Sequence, residues 1–489
     1  MAAKAKQTGK TKAKPNGKPR RAAVGDGLAA IVLAAGKGTR MKSARAKVLH
    51  QILGRSLVAY PVALAREMGA DPIIPVLGHQ LAAVEADLAA RFGAGTMRVV
   101  EQAEQRGTGH AVALALPALG DFAGIVYIVY GDVPLLGRQT LEALCAAARA
   151  GGCLAIVTAR PGDPTGYGRI LRDKRGRITG VIEQKDASEK QRRIGEVNAG
   201  IYAAPADFLR DATAKLDPRN AQGELYLTDI VAAASRTIGV VGIEAPADDV
   251  AGINDRAQLA EAEAMMRARI NKRWMEHATF RDPASTVVEP DVILGEDVEL
   301  GRNVSLRGRT RVGAGVRIDD GVVLTDTEVG AGAQIKPYCI ATETVIGPGA
   351  IIGPFAHMRP GTKLGPDVHL GNFVETKKTT LGRGSKANHL SYLGDSIIGE
   401  KVNVGAGTIT CNYNGYEKFQ TTIEDGAFIG SDTQLVAPVR VGARAVIAAG
   451  TTVTGDVPAG ALSISRVAQV DKAGYADKVA KRYADRPKK

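Results

Sequence analysis

The sequence predicts an α/β domain built on a mainly parallel, Rossmann-like sheet, joined by a long helix to a parallel β-helix of hexapeptide repeats. Three observations carry this. Residues 28–252 alternate short apolar runs with Ala/Leu/Glu-rich stretches, the pattern of strands and helices in series. Residues 255–277 set Leu259, Ala262, Met266, Ile270 and Trp274 three to four apart, on one face of a helix. Beyond Pro283 the apolar period changes to six. A chain of 489 residues is too long for one ordinary core, and 58 glycines with 4% aromatics suit thin stacked coils.

The elements follow in order. Residues 1–27 carry eight Lys/Arg against Asp26 alone, interrupted by Pro15, Gly17 and Pro19, and read as a disordered basic tail. Contact with RNA or membrane and a plain solvated extension both stay open for it. Residues 470–489 form a second basic tail, so the two tails hold +7 and +4 of the net +13. The body is close to neutral, which argues against nucleic-acid binding as its main business. Leu28–Ala35 follows the leader like a faint signal-peptide core, but it is short and runs straight into the glycine loop, so it reads as a first strand. No transmembrane span appears. The four cysteines (Cys145, Cys153, Cys339, Cys411) have neither metal-ligand spacing nor disulfide density, and a reducing, cytoplasmic location is expected.

The first strand opens into Leu33-Ala34-Ala35-Gly36-Lys37-Gly38-Thr39-Arg40-Met41, with Lys47 six residues on. Exposed backbone N–H groups beside Lys37 and Arg40 suit a polyphosphate. The loop is neither a Walker A loop nor a dinucleotide fingerprint, since Met41 stands where a third glycine would be, and by itself it can equally be a turn. Further strands are expected at Ile73–Leu77, Ile125–Val129, Leu154–Thr158, Ile178–Ile182 and Ile201–Ala203, with helices at Leu57–Met68 and Leu81–Arg91. Ligands of such sheets gather at the carboxyl ends of strands, where Gly36 and Gly38 fall. Tyr130-Gly131-Asp132 ends another strand there, and Asp132 is placed either to hold Mg²⁺ between phosphates or to cap a helix. Amides of Gln102 and Gln105, with Gly107 and Thr108, could read a base edge.

In the second half Val288, Leu294, Leu300, Leu306, Val312, Ile318 and Leu324 are spaced by six. Ile346, Ile352, Met358, Leu364 and Leu370 repeat the spacing, as do Ile429, Leu435, Val441, Ile447 and Val453. An aliphatic residue at a fixed place in each hexapeptide marks a parallel β-helix with about three faces per coil, its aliphatics stacked inward. The register slips between Leu324 and Ile346, and again over 371–428, where polar residues concentrate and an insertion is expected.

Taken together, Leu33–Met41, Lys47–His50, Gln102–His110, Tyr130–Pro134, Asp163–Arg169 and the hexapeptide half resemble the bacterial bifunctional N-acetylglucosamine-1-phosphate uridylyltransferase / glucosamine-1-phosphate acetyltransferase family, over roughly residues 28–470. The resemblance implies an α/β nucleotidyltransferase domain at 28–252, a linker helix at 253–282, a left-handed β-helix acetyltransferase domain at 283–470 and a C-terminal tail at 471–489. It implies that Leu33, Ala34, Ala35 and Gly36 with Gln102, Gln105, Gly107, Thr108, Tyr130 and Gly131 bind the nucleotide. Lys37, Arg40 and Lys47 would neutralise UTP and the sugar phosphate. Gly168, Glu183, Asn198 and Asn254 would meet the N-acetylglucosamine moiety or the metal, with Asp132 and Asn254 as the Mg²⁺ ligands. In the other half, Arg359, Lys377, Tyr392, Asn403 and Lys418 would bind glucosamine 1-phosphate, and His389 would be the base. Ala406, Asn412, Tyr413, Ser431, Ala449 and Arg466 would hold acetyl-CoA.

Two departures from the family pattern are visible: Ala46 stands where proline often precedes the lysine, and Ala199 where threonine often follows the asparagine. The implied product is UDP-N-acetylglucosamine, a precursor of peptidoglycan and lipopolysaccharide, made by a homotrimer. His389 alone could be an ordinary polar residue of an insertion; its neighbours Lys386–Asp395 favour the catalytic role. Cys411 reads as a bystander, since transfer from thioester to amine needs no protein nucleophile. Two rivals are a nucleotidyltransferase whose β-helix only assembles or regulates, and a non-enzymatic binder acting through its tails. The cluster Lys377, His389, Asn412 and Lys418 argues against the first, and the near-neutral body against the second.

Overall fold

The computed structural model describes residues 25–484, which form two compact units meeting in sequence at Glu263 and Ala264. The N-terminal tail expected to be disordered lies, up to residue 24, outside the described residues.

The first unit is a mixed sheet with helices on both faces. Its strands are β1 (Leu28–Ala34), the small hairpin β2 (Gln51–Ile52) and β3 (Arg55–Ser56), β4 (Ile73–Leu77), β5 (Val100–Glu101), β6 (Ile125–Tyr130), β7 (Leu154–Ala159), β8 (Gly168–Arg172), β9 (Ile178–Ile182), β10 (Val197–Pro205) and β11 (Val240–Glu244). The strand order is β11-β7-β10-β6-β1-β4-β5, with β8 and β9 attached to the side of β10. Pairs β1–β4, β1–β6, β4–β5 and β7–β11 are parallel, whereas β10 is antiparallel to both β6 and β7. The expected strand at Ile201–Ala203 is thus the middle of a nine-residue strand that reverses direction within the sheet.

The alternation of side chains explains why β1 sits centrally. Ala30, Val32 and Ala34 point into a core shared with the helices α1 (Ala59–Glu67), α2 (Leu81–Phe92) and α4 (Arg138–Gly151). Ala29, Ile31 and Leu33 point to the other face, against α3 (Thr108–Ala115), α6 (Ala206–Thr213) and α7 (Asp229–Arg236). The single-turn α5 (Glu189–Arg192) lies outside both cores. The chain runs from β1 to β4 and β5 on one side, then returns with β6 on the other, so the sheet order reverses at β1. Ligands of open α/β sheets bind at such a switch point, beyond the carboxyl ends of the strands.

Helix α8 spans Arg256–Trp274, slightly shorter than expected, and the stripe named from sequence faces inward: Ala262 and Ile270 are buried, and Leu259, Met266 and Trp274 are partly buried.

The second unit is a parallel β-helix. It starts at Ala278–Phe280, which pairs with Val298–Leu300, and ends at Leu462–Ser463. All seventeen aliphatics picked out by the six-residue period are buried. Every coil is held to the next by in-register parallel pairing, as in Leu306 with Leu324 and Ile352 with Leu370. The slips have a simple cause: most coils close in 18 residues, as in Leu306 paired with Leu324, or in 17, as in Arg311 paired with Glu328, and the last in 16. The inward column therefore runs unbroken through Val329, Ile335 and Ala341, all buried, where the period was lost. The shortened corners carry Asp326 and Glu343 at positive φ.

The expectation that 371–428 is an insertion is corrected in the same way. Most of it is regular coil, with Thr376, Leu381, Ala387, Leu393, Ile398, Val404 and Thr410 inside. Only one coil is long: Asn403 pairs with Phe428, 25 residues on, and the extra residues form a loop closed by an antiparallel bridge between Tyr413 and Lys418. Coils stack tightly enough that a Cβ at Gly371 would lie 1.9 Å from the Asn388 carbonyl oxygen, which only glycine avoids. The C-terminal residues carry a final helix, α9 (Tyr475–Ala484), with no buried residue.

Candidate active sites

In the first unit the glycine loop leaves β1 between its neighbours, Leu33 being level with Tyr130 of β6 and Ala34 with Leu77 of β4. Gly38 has φ 63°, and a Cβ there would lie 2.3 Å from the Lys47 Cβ, so the loop rests on the base of that lysine. A cavity of about 310 Å³ opens over the loop. Its walls include Leu33, Ala34, Ala35 and Gly36 on one side, Gln102, Gln105, Gly107 and Thr108 on the other, and Lys47, Tyr130 and Asp132 at one end. Gln102 is buried and donates to the Gly107 carbonyl (3.1 Å), while Gln105 donates to the Ala35 carbonyl (2.6 Å). Gly131 lies behind the cavity, its N–H donating to the Leu33 carbonyl (2.8 Å).

A second cavity of about 310 Å³ adjoins the first. Gly168, Glu183 and Asn198 line it, and the two cavities share Thr108, Tyr130, Asp132 and Glu224 as a common wall. Burial, with the Glu183 and Asp132 carboxylates nearby, holds the Tyr130 phenol far above its ordinary range, so it stays protonated as a donor. Burial also raises the Glu183 carboxyl, partly offset by a hydrogen bond from Thr228.

The two expected metal ligands lie side by side, because the Ile253 N–H donates to the Asp132 carbonyl (3.0 Å) and so brings Asn254 next to Asp132. Each has a cation on it: Lys47 pairs with the Asp132 carboxylate, and Arg40 donates to the Asn254 Oδ1 (2.8 Å). Lys37 is not brought to this point. It lines a neighbouring cavity of about 410 Å³ with His79 and Gln80, which shares Gln102 and Gln105 with the first.

Glu224, which faces both cavities, escapes motif reading. The signal for it is structural: a Cβ at Gly107 would lie 2.6 Å from the Leu225 carbonyl oxygen, so the loop after α6 packs directly on the base-reading segment.

In the second unit His389 ends the strand Lys386–His389 and lies at a corner of the coil. Its Nδ1 is 3.1 Å from the Oδ1 of Asn372, the residue level with it one coil earlier. An amide oxygen only accepts, so Nδ1 is the donor, and in the neutral form of the ring the lone pair falls on Nε2. Asn372 was not among the residues expected from sequence, although the coil length points straight back to it.

The same corner recurs coil by coil. Asp432 N–H donates to the Ala406 carbonyl (2.7 Å), Gly450 N–H to the Ser431 carbonyl (2.8 Å), and Arg466 to the Ala449 carbonyl (2.9 Å). His389, Ala406, Ser431, Ala449 and Arg466 thus form one column. Asn403 lies on the preceding face, paired with Lys386 and Phe428.

On the following face Arg359 pairs with Glu375 (2.9 Å), and Tyr392 is level with Glu375 one coil on. Lys377 lies beside Lys418, brought over by the long loop, and that ammonium depresses the Lys377 pKa. Asn412 at the loop base donates to Asp395, whereas Tyr413 is exposed and donates to Gly415 within the loop. Burial raises the Cys411 thiol, which lowers its thiolate fraction.

Comparison with known proteins agrees with this division. A MobA-like NTP transferase domain matches residues 30–199, and the bacterial transferase hexapeptide (six repeats) matches 343–378 and 420–455. His389 and the long loop fall between the two hexapeptide blocks. Similar chains include the bifunctional protein GlmU of Pelobacter propionicus, 49% identical over 92% of this chain and 98% of that protein. Those of Sorangium cellulosum (51% identical, 94% and 98%) and Geobacter sulfurreducens (49%, 92% and 98%) are also similar. With half its residues identical over nearly the whole length of such relatives, the chain belongs to the bifunctional GlmU family.

Proposed function

We propose that this chain makes UDP-N-acetylglucosamine in two steps, acetylating glucosamine 1-phosphate with acetyl-CoA and then transferring UMP from UTP to the N-acetylglucosamine 1-phosphate formed. The observation that carries it is the pair of adjoining cavities sharing Asp132, which supports a nucleotide and a sugar phosphate meeting at one carboxylate.

In uridylyl transfer a phosphate oxygen of the sugar attacks the α-phosphorus of UTP, and pyrophosphate leaves. The loop backbone and the amides of Gln102 and Gln105 hold the nucleoside. Glu183, Asn198 and the Gly168 backbone hold the sugar. Lys47 and Arg40 release Asp132 and Asn254 and turn to the phosphates, so charge is neutralised without any covalent intermediate. Asp132 and Asn254 offer hard oxygen donors, and no cluster of three His, Cys, Asp or Glu exists among the described residues. Few protein ligands completed by substrate oxygens is the coordination Mg²⁺ favours, and Mg²⁺ held there would draw charge from the transferring phosphates.

In acetyl transfer the Nε2 of His389, with Nδ1 fixed by Asn372, takes the proton from the sugar amine as its nitrogen attacks the thioester carbonyl; the C–S bond then breaks and that proton passes to the leaving sulfur, so CoA departs as its thiol. Arg359, Lys377 and Lys418 grip the sugar phosphate, Tyr392 and Asn403 flank it, and the Ser431 hydroxyl or a corner N–H steadies the oxyanion. The column of Ala406, Ser431, Ala449 and Arg466, with Asn412 and Tyr413 at the loop, supports an acetyl-CoA groove.

A homotrimer is the proposed assembly. It is supported by a ladder of exposed rings on one corner, Tyr338 on Phe355 on Phe373, with centroids 5.5 and 5.4 Å apart. Such a surface gains from being covered. No helix among the described residues is long and apolar enough to cross a membrane, and the substrates point to the cytoplasm.

The test is reconstitution from glucosamine 1-phosphate, acetyl-CoA, UTP and Mg²⁺, reading UDP-N-acetylglucosamine, CoA and pyrophosphate. His389→Ala is expected to lose acetyl transfer by about 10²–10⁴-fold and keep uridylyl transfer. Asp132→Ala should do the reverse. Loss of both activities in either folded variant sinks the two-site reading.

A further inference from the structure

The residue that presents Lys47 to the nucleotide cavity is held by a side chain from another element. Gln80 stands at the start of α2 with φ 56° and ψ 39°, a left-handed conformation unusual for a residue with a Cβ. Its carbonyl accepts from the Val84 N–H, but its side chain makes no hydrogen bond to its own helix. Both ends of its amide are instead spent on the loop before Lys47: Oε1 accepts from the Ala46 N–H (2.9 Å), and Nε2 donates to the Ala44 carbonyl (2.6 Å). Ala46 is fully buried, and the turn Lys47–Leu49 begins directly after it. The other side of Lys47 rests on Gly38. The lysine is therefore gripped at its backbone by Gln80 and at its Cβ by the glycine loop, with its ammonium delivered to Asp132.

We infer that Gln80 is a positioning residue for uridylyl transfer, fixing the Ala44–Ala46 segment so that Lys47 points into the site. From this left-handed conformation the Gln80 amide reaches both its partners, and those two hydrogen bonds help to hold the strain in place. The clamp also accounts for Ala46. Its φ of −53° lies in the range proline imposes, but unlike proline it has an N–H, and Gln80 satisfies that N–H while supplying from outside the stiffness that a ring would supply from within.

The inference rests on Lys47 serving the nucleotide site, so Lys47→Ala is measured alongside. Glycine is at ease at φ 56°, so Gln80→Gly removes the amide without straining α2. Loss of two hydrogen bonds of ordinary strength predicts about a tenfold fall in kcat/KM for uridylyl transfer, with acetyl transfer by the same protein unchanged. Amide exchange at Ala46 should quicken in Gln80→Gly, while exchange at His50, bonded to the Lys47 carbonyl, stays as it was. The double variant Gln80→Gly/Ala46→Pro should recover most of the lost kcat/KM. Gln80→Gly with undiminished uridylyl transfer overturns the inference, as does an equal loss of acetyl transfer, which would mark a global effect. If Lys47→Ala is itself fully active, the assignment of Lys47 fails instead.

Discussion

Lys377 and Lys418 bring two ammonium groups together on an exposed face, and the contact with Lys418 is the main cause of the depressed Lys377 pKa. A lysine so depressed loses its proton earlier than usual as the pH rises. Phosphate affinity at the acetyltransferase site should therefore weaken on the alkaline side below the ordinary lysine range. N-acetylglucosamine 1-phosphate is a suitable probe, since it has no amine to titrate. Its Kd, followed by calorimetry from pH 7 to 10, should rise with pH, and Lys418→Met should move the rise to higher pH while weakening binding throughout. At this scale the sequence was most informative where a motif names a residue, as with Asp132 and His389. It was silent on Asn372, Glu224 and Gln80, which act through neighbours distant in the chain; an amide or carboxylate carries no local pattern that announces its partner.

The elements show where periodicity is a sound guide and where it misleads. Every aliphatic marked by the six-residue spacing in the three runs is buried, because burial decides those positions, but the count passed over a second buried column two residues earlier, at Val298, Val304, Val316 and Val322. It lost the frame at Asp326 and Glu343, where one residue fewer turns the corner. Buried hydroxyls fill positions that a hydrophobic count passes over. Thr379 is fully buried beneath the Lys377 backbone; its hydroxyl reaches the Leu393 carbonyl (2.7 Å) and the Lys377 carbonyl (3.0 Å), and accepts from Ser396 (3.2 Å). Thr379→Val keeps the shape and leaves the Ser396 hydroxyl without this acceptor, so unfolding in guanidinium should show a loss of about 1–3 kcal/mol. The antiparallel strand β10 escaped the sequence for a different reason: direction in a buried strand is set by the connections around it, not by its own Val/Ala/Ile content.

For the whole molecule, two units with separate sites make the activities separable. Asn372 and His389 lie in one unit, and Asp132 and Asn254 in the other. Purified His389→Ala and Asp132→Ala proteins, each unable to convert glucosamine 1-phosphate to UDP-N-acetylglucosamine, should do so when mixed, because the second makes the intermediate and the first consumes it. Sedimentation equilibrium should give three times the 51.1 kDa of the chain. The division into two domain classes was legible from the switch of period alone.

The coils that close in either 17 or 18 residues have one further consequence. A corner that accepts either length acts as a buffer against frame errors: a residue gained or lost there changes one turn and leaves every stacked side chain above and below in place. The β-helix can thus absorb small changes in gene length without disturbing the His389 column, a tolerance that a sheet with fixed register, such as the one carrying Asp132, does not share.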